Sequence, residues 1–209
     1  MKAKKVIVIH VKDDVEKEEF MKELEKLNLP AFIYVHGKLN SIRINIQGTK
    51  DEIREAIYKI RDIHKRIRSR LYANKRGLYR YTLDDIFREA GVSISAPILL
   101  KTLELLGETA ELKDNELETS IPWNKIVELT RKLGKCLGDI SLQTTRQIRE
   151  VALPLAVVFN IDPEKILDLM VKLGVAEYKE DKFKYELVKN KEQAMEIMLK
   201  HLTGEENED

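Results

Sequence analysis

The spacing of apolar residues changes period several times along the chain, and each change marks an expected element. Residues 5–11 are almost continuously apolar and β-branched, which predicts a strand covered on both faces. Residues 13–27 place Val15, Phe20, Leu24 and Leu27 on one side of an amphipathic helix that stops before Pro30. Residues 31–36 and 41–47 flank the turn His36-Gly-Lys-Leu-Asn40 and read as a hairpin. In its second strand Ile42, Ile44 and Ile46 point one way, and Ser41, Arg43, Asn45 and Gln47 the other. Thr49-x-x-Glu52 is a capping signature for a long helix. Its apolar stripe is Ile53, Ile57, Ile60, Ile67 and Leu71, interrupted by His64. The expected order is β-α-β-β-α, with both helices on one face of a three-stranded sheet.

The segment Asn74-Lys-Arg-Gly77 breaks this pattern. Thr82-x-x-Asp85 then opens a helix that ends at Gly91, and a second runs from near Pro97 to Gly107. Short strands are expected at 108–112 and 116–120, followed by a helix from Pro122 to Gly134. Gly91, Gly107, Gly134 and Gly174 each follow an apolar helical run, where a left-handed C-cap is wanted. Residues 144–159 read as a helix that Pro154 should bend or divide. Asp162-Pro163-Glu164 starts another helix, which ends at Gly174. A hairpin over 175–188, a helix over 190–201 and an acidic tail, 204–209, expected to be disordered, complete the chain. The expected fold class is α+β. A β-α-β-β-α domain (1–76) precedes two helix-helix-hairpin-helix units (77–138 and 139–203) that look like winged helices.

Charge sharpens this picture. Between residues 59 and 80 there are nine Lys/Arg and one acid, Asp62, a net of +8 in a chain whose total is +1. The remainder must therefore sum to −7. The long helix, about 34 Å from end to end, shows Arg54, Tyr58, Arg61, Lys65, Arg68 and Tyr72 beside its apolar stripe. Polyanion binding calls for such a pattern, because cations displace condensed counterions while rings and guanidinium groups stack on bases. The candidate nucleic-acid-binding residues are Arg61, Lys65, Arg66, Arg68, Arg70, Lys75, Arg76, Arg80 and Tyr72, with Arg43 on the outer face of the hairpin. Phe32, Tyr34 and His36 on the neighbouring strand are expected to share that outer face, as in sheets that stack RNA bases.

Other chemistry is sparse. His10, His36, His64 and His201 are scattered without metal-ligand spacing, and no glycine-rich phosphate loop is present. The single Cys136 excludes an intrachain disulfide. No stretch approaches the ~20 apolar residues of a membrane span, and the N-terminus reads as a strand rather than a signal peptide. With 35% charged residues, mostly Lys and Glu, the composition is that of a heat-adapted cytoplasmic protein. No enzyme activity, metal or cofactor is expected. The helices that would enter a DNA groove carry few cations: Lys101 in one, and Lys165 and Lys172 beside Glu164 and Asp168 in the other.

The motif Gly77-Leu-Tyr-Arg-Tyr-Thr-Leu-Asp-Asp-Ile-Phe-Arg-Glu-Ala-Gly91, with Glu116-Leu-Glu-Thr119 after it, resembles an uncharacterised archaeal protein family and implies no activity. By topology and charge alone, the first domain is similar to KH-like RNA-binding modules and to bacterial ribosome hibernation factors. It lacks the KH loop, since Gly37-Lys-Leu-Asn40 keeps only the first glycine. The expected partner is structured RNA of the ribosome, with ribosomal proteins and a second copy of the chain as further contacts. A winged-helix DNA-binding regulator and a dimeric scaffold joined through the 53–71 stripe are the alternatives.

Overall fold

The structure is a computed structural model that describes residues 2–204 of the 209. The chain is mixed α+β and divides into two compact units, 1–80 and 81–209. The expected acidic tail lies outside the described residues except for Gly204, which caps the last helix.

In the first unit the strands are β1 (Ala3–His10), β2 (Phe32–Lys38) and β3 (Ser41–Gly48), and the helices are α1 (Asp14–Glu25) and α2 (Lys50–Leu71). The sheet is antiparallel with β3 in the centre, in the order β1-β3-β2. Its register pairs Ile7 with Ile44 and Ile9 with Ile42 on one side, and Val35 with Ile44 on the other. These side chains share one face, together with Ile46 and, from the helices, Phe20, Leu24, Ile53, Ala56, Ile60, Ile63 and Ile67. Burying them removes apolar surface from water at roughly 25 cal/mol per Å², the main drive for this layered packing. Both helices cover the same face, so β1 is covered on one side only and Val6 and Val8 are exposed. That corrects the expectation of a doubly covered strand. The α2 stripe packs within its own unit and is not an open dimer seam.

At the division between the units lies β4 (Tyr79–Thr82), a short strand that the sequence pattern does not announce, and the second unit follows from it. It continues with α3 (Leu83–Ala90), α4 (Ala96–Leu105), β5 (Ala110–Lys113), β6 (Glu116–Thr119) and α5 (Trp123–Ile140). Then come α6 (Arg146–Val158), α7 (Pro163–Lys172), β7 (Ala176–Lys179), β8 (Lys184–Leu187) and α8 (Lys191–Thr203). Two sheets form, ordered β4-β6-β5 and β7-β8. The central helix is α6, which packs against α4, α5, α7 and α8.

Of the four glycines expected to end helices, Gly91, Gly107 and Gly174 do so and Gly134 does not. Gly107 and Gly174, at φ 75° and 72°, close α4 and α7 with the same paired hydrogen bonds. Glu108 N–H reaches Leu103 C=O and Val175 N–H reaches Met170 C=O, each at 3.0 Å, the six-to-one bond of the Schellman motif. Gly134 does not end α5, which runs on to Ile140. Its hydrogen side chain instead admits Val92, because a Cβ there would stand 2.6 Å from Val92 Cγ2. Pro154 does not divide α6. Val151, Ala152, Leu153, Leu155 and Ala156 are all buried around it, and that packing outweighs the ~3 kcal/mol an interior proline costs.

Candidate nucleic-acid interface

Charge divides as the fold does. Residues 1–80 hold 20 Lys/Arg against 11 Asp/Glu, a net of +9, and residues 81–209 hold 17 against 25, a net of −8. In the basic unit the rigid carrier of that charge is α2. Its start is fixed by a complete capping box: Glu52 N–H donates to Thr49 Oγ1, and Thr49 N–H donates to Glu52 Oε2 at 2.8 Å. One stripe of the helix is sealed in the core, so the remaining side chains have set directions.

Along the solvent side stand Arg54, Tyr58, Arg61 and Lys65, at helical spacings of four, three and four. Tyr58 is 73% exposed. Arg61 and Lys65 are exposed, and among the described residues neither is held by a carboxylate. Arg54 reaches Asp51 only at 3.7 Å, with both side chains in water, where such pairs contribute about 0–1 kcal/mol. Arg66, on the flank, is bridged to Asp62 at 3.2 Å. Beyond the helix, a turn in which Asn74 Oδ1 accepts from Arg76 and Leu78 N–H presents Lys75 and Arg76 at the surface. Arg80 is exposed in β4.

The C-terminal end of α2 is arranged differently. Arg70 donates to Glu19 at 2.7 Å, and its side chain is only 15% exposed. Arg68 Nε lies 3.7 Å from Glu16, whose carboxylate is fully buried. That carboxylate accepts Lys12 N–H at 2.6 Å and pairs with His64 Nε2 at 2.8 Å, while the imidazole edge packs on Phe20. Tyr72 Oη donates to Asp13 Oδ2 at 2.9 Å, and Lys12 Nζ sits 4.5 Å above the Tyr72 ring. Burial first, and the Asp13 bond second, push the Tyr72 hydroxyl far above the ordinary phenol value. The Asp13 carboxyl is held below its usual value by the Glu16 N–H it caps and then by Tyr72.

The structure thus gathers Arg61 and Lys65 on one open face with Arg66 beside them, and sets Arg70 and Tyr72 into the α1–α2 seam, with the half-exposed Arg68 at its edge. Arg43 stands across the sheet from α2, on the uncovered face. Sequence reasoning missed Glu16, having given the inward position of the first helical turn to Val15, which is 57% exposed. A signal was present: His64 interrupts an apolar stripe, and a polar group at such a position needs a buried partner.

The acidic unit offers a different concavity, a groove of about 490 Å³ bordered by Pro97, Val151, Met195 and Leu199. Its cations are already used, Lys101 by Glu104, Lys200 by Glu196, and Lys191 by Glu150. Among the described residues no group of three or more His, Cys, Asp or Glu is placed to hold a metal, and no helix is long and apolar enough to cross a membrane. Cys136 is half-buried, and desolvation, then Asp139, raise its thiol above the usual value.

No curated protein and no solved structure matches the chain. A family model does match, over residues 9–196, and it takes in all of α2 and nearly all of both units. The chain belongs to the family described as uncharacterized protein conserved in archaea (DUF2067).

Proposed function

We propose that this chain is a non-enzymatic RNA-binding protein of the ribosome, which lays α2 along the phosphate backbone of a structured RNA and regulates translation by blocking or bridging subunits. The observation that carries this reading is the exposed row Arg54, Tyr58, Arg61 and Lys65 on a helix whose other side is locked in a core. A 22-residue helix is about 33 Å long, a span suited to a run of phosphates rather than to a small-ligand pocket. Lys75, Arg76 and Arg80 extend the same charge beyond the helix end. The acidic second unit, net −8, is then the part that meets a protein or a second copy.

A DNA-binding regulator draws less support. In α4 the residues Ile98, Leu99, Thr102 and Leu103 are buried, and its one cation is paired with Glu104. Groove readout needs exposed Arg, Asn or Gln along such a helix. The test is sedimentation of cell extract through sucrose gradients at low and high salt. Co-migration with ribosomal particles that is lost at high salt is expected. A protein that stays at the top of the gradient at every salt concentration contradicts the proposal.

A further inference from the structure

The uncovered face of the first unit's sheet is a regular grid. The two registers align Lys4, Gln47 and Phe32 in one row, and Val6, Asn45 and Tyr34 in the next. Val8, Arg43 and His36 follow, then His10, Ser41 and Lys38. Neither α1 nor α2 covers these side chains, because both helices pack on the opposite face. Phe32 is 86% exposed and Tyr34 67%. Of the charged residues in the grid, Lys4, Lys38 and Arg43 are cations whose charged groups have no carboxylate partner among the described residues, and none is an acid. In a chain with 36 acidic residues, a face with none is matched to an anion. An acid-free face also fits a second copy of itself poorly, since like charges would meet.

We infer that this face binds single-stranded RNA, with Phe32 and Tyr34 stacking on unpaired bases and Lys4, Lys38 and Arg43 tracking the phosphates. Two residues apart on one strand, Phe32 and Tyr34 have Cα atoms about 6.8 Å from each other. That is twice the ~3.4 Å rise of one nucleotide, so the pair spans the thickness of an intercalated base. Beside the rings on β3 lie Asn45 and Gln47, Gln47 between Phe32 and Lys4; their amides both donate and accept, as recognition of base edges and 2′-hydroxyls requires. The choice of RNA rests on the function proposed for α2, but the surface is a separate one on the other side of the unit. The protein would then hold a structured segment on α2 and an adjoining unpaired segment on the sheet.

The experiment is fluorescence anisotropy on the full chain with two labelled probes, an oligouridylate and a short RNA duplex. The variant F32A/Y34A removes only exposed side chains and leaves the core intact. It is expected to weaken oligouridylate binding about tenfold or more and to leave duplex binding within about twofold. The variant R61E/K65E/K75E is expected to do the reverse. Oligouridylate binding that F32A/Y34A leaves unchanged overturns the inference, as does absence of such binding in the wild type. So does a dimer, seen by sedimentation, that F32A/Y34A dissociates. A wild type that binds oligouridylate but not the duplex would count against the α2 proposal and not against the sheet.

Discussion

Arg61 and Lys65, midway along α2, and Arg68 and Arg70, one turn further on, are residues of the same kind on the same helix. The first two face water with no acid against them among the described residues, whereas Arg68 and Arg70 lean on Glu16 and Glu19 of α1. Local composition does not separate the two sets; what separates them is where α1 crosses. Over the last turns of α2 the neighbouring helix supplies Asp13, Glu16 and Glu19, spaced three residues apart on one side. A count of positive charge therefore overstates the surface available to a polyanion. Only the fold shows which cations hold the protein together. The second unit repeats the device, with the buried Glu150 holding Arg146 at 3.0 Å and Lys191.

The largest effect should come from removing the buried acid. Glu16→Ala leaves His64 without its partner and the Lys12 N–H, just before the α1 cap, unpaired, at a cost of about 1–3 kcal/mol for each. Urea unfolding should show it as a lower midpoint, while the molecules that stay folded keep their RNA affinity. Next in size is the charge reversal R61E/K65E/K75E. It should lower RNA affinity about a hundredfold near physiological salt and flatten the slope of log K against log salt by roughly two to three, with little change in the unfolding midpoint. If instead it unfolds the protein, the distinction between the two sets fails.

Glu150 gives a smaller, pH-dependent effect. Burial acts to raise its carboxyl, but the bonds from Lys191 and then Arg146 outweigh burial and hold it below the usual value. The unfolded chain therefore takes up the proton first. The stabilisation is complete above the ordinary carboxylate value, about 4.3, and is lost as pH falls through the lower folded value. Melting temperatures from pH 7 down to pH 3 should fall less steeply for Glu150→Gln than for the wild type, and parallel curves would refute the role. The smallest effect lies where charge plays no part. Phe183, exposed at the β7–β8 turn, holds φ at 51°, and Phe183→Gly should add up to about 1 kcal/mol of stability in thermal melts.

Much of this fold was legible from particular residues. Alternating Ile42, Ile44 and Ile46 placed the core face of β3, and Asp162-Pro163 and Thr49-x-x-Glu52 placed two helix starts. Gly107 and Gly174 marked real left-handed caps, but Gly134 had the same local look and a different cause, contact with Val92, which lies 42 positions away. Pro154 did not divide its helix for a related reason, since tertiary burial overrode a local preference. The short strand β4 gave no signal, because Tyr79, Arg80 and Tyr81 lack enough length to show a period. At the candidate site the charge was legible and its partners were not. Val15 looked inward by spacing, yet Glu16 took the buried place through bonds that only the packed helices provide.

The most direct test of the account isolates the protein from its own cells at low salt and sequences the RNA that accompanies it, for the wild type, R61E/K65E/K75E and Arg70→Gln. Ribosomal RNA is expected with the wild type and with the folded fraction of Arg70→Gln, and is expected to fall sharply with R61E/K65E/K75E, to what the sheet face still holds. Equal RNA recovery from the wild type and R61E/K65E/K75E, or none from any of the three proteins, would contradict the claim that the open face of α2 is an RNA-binding surface.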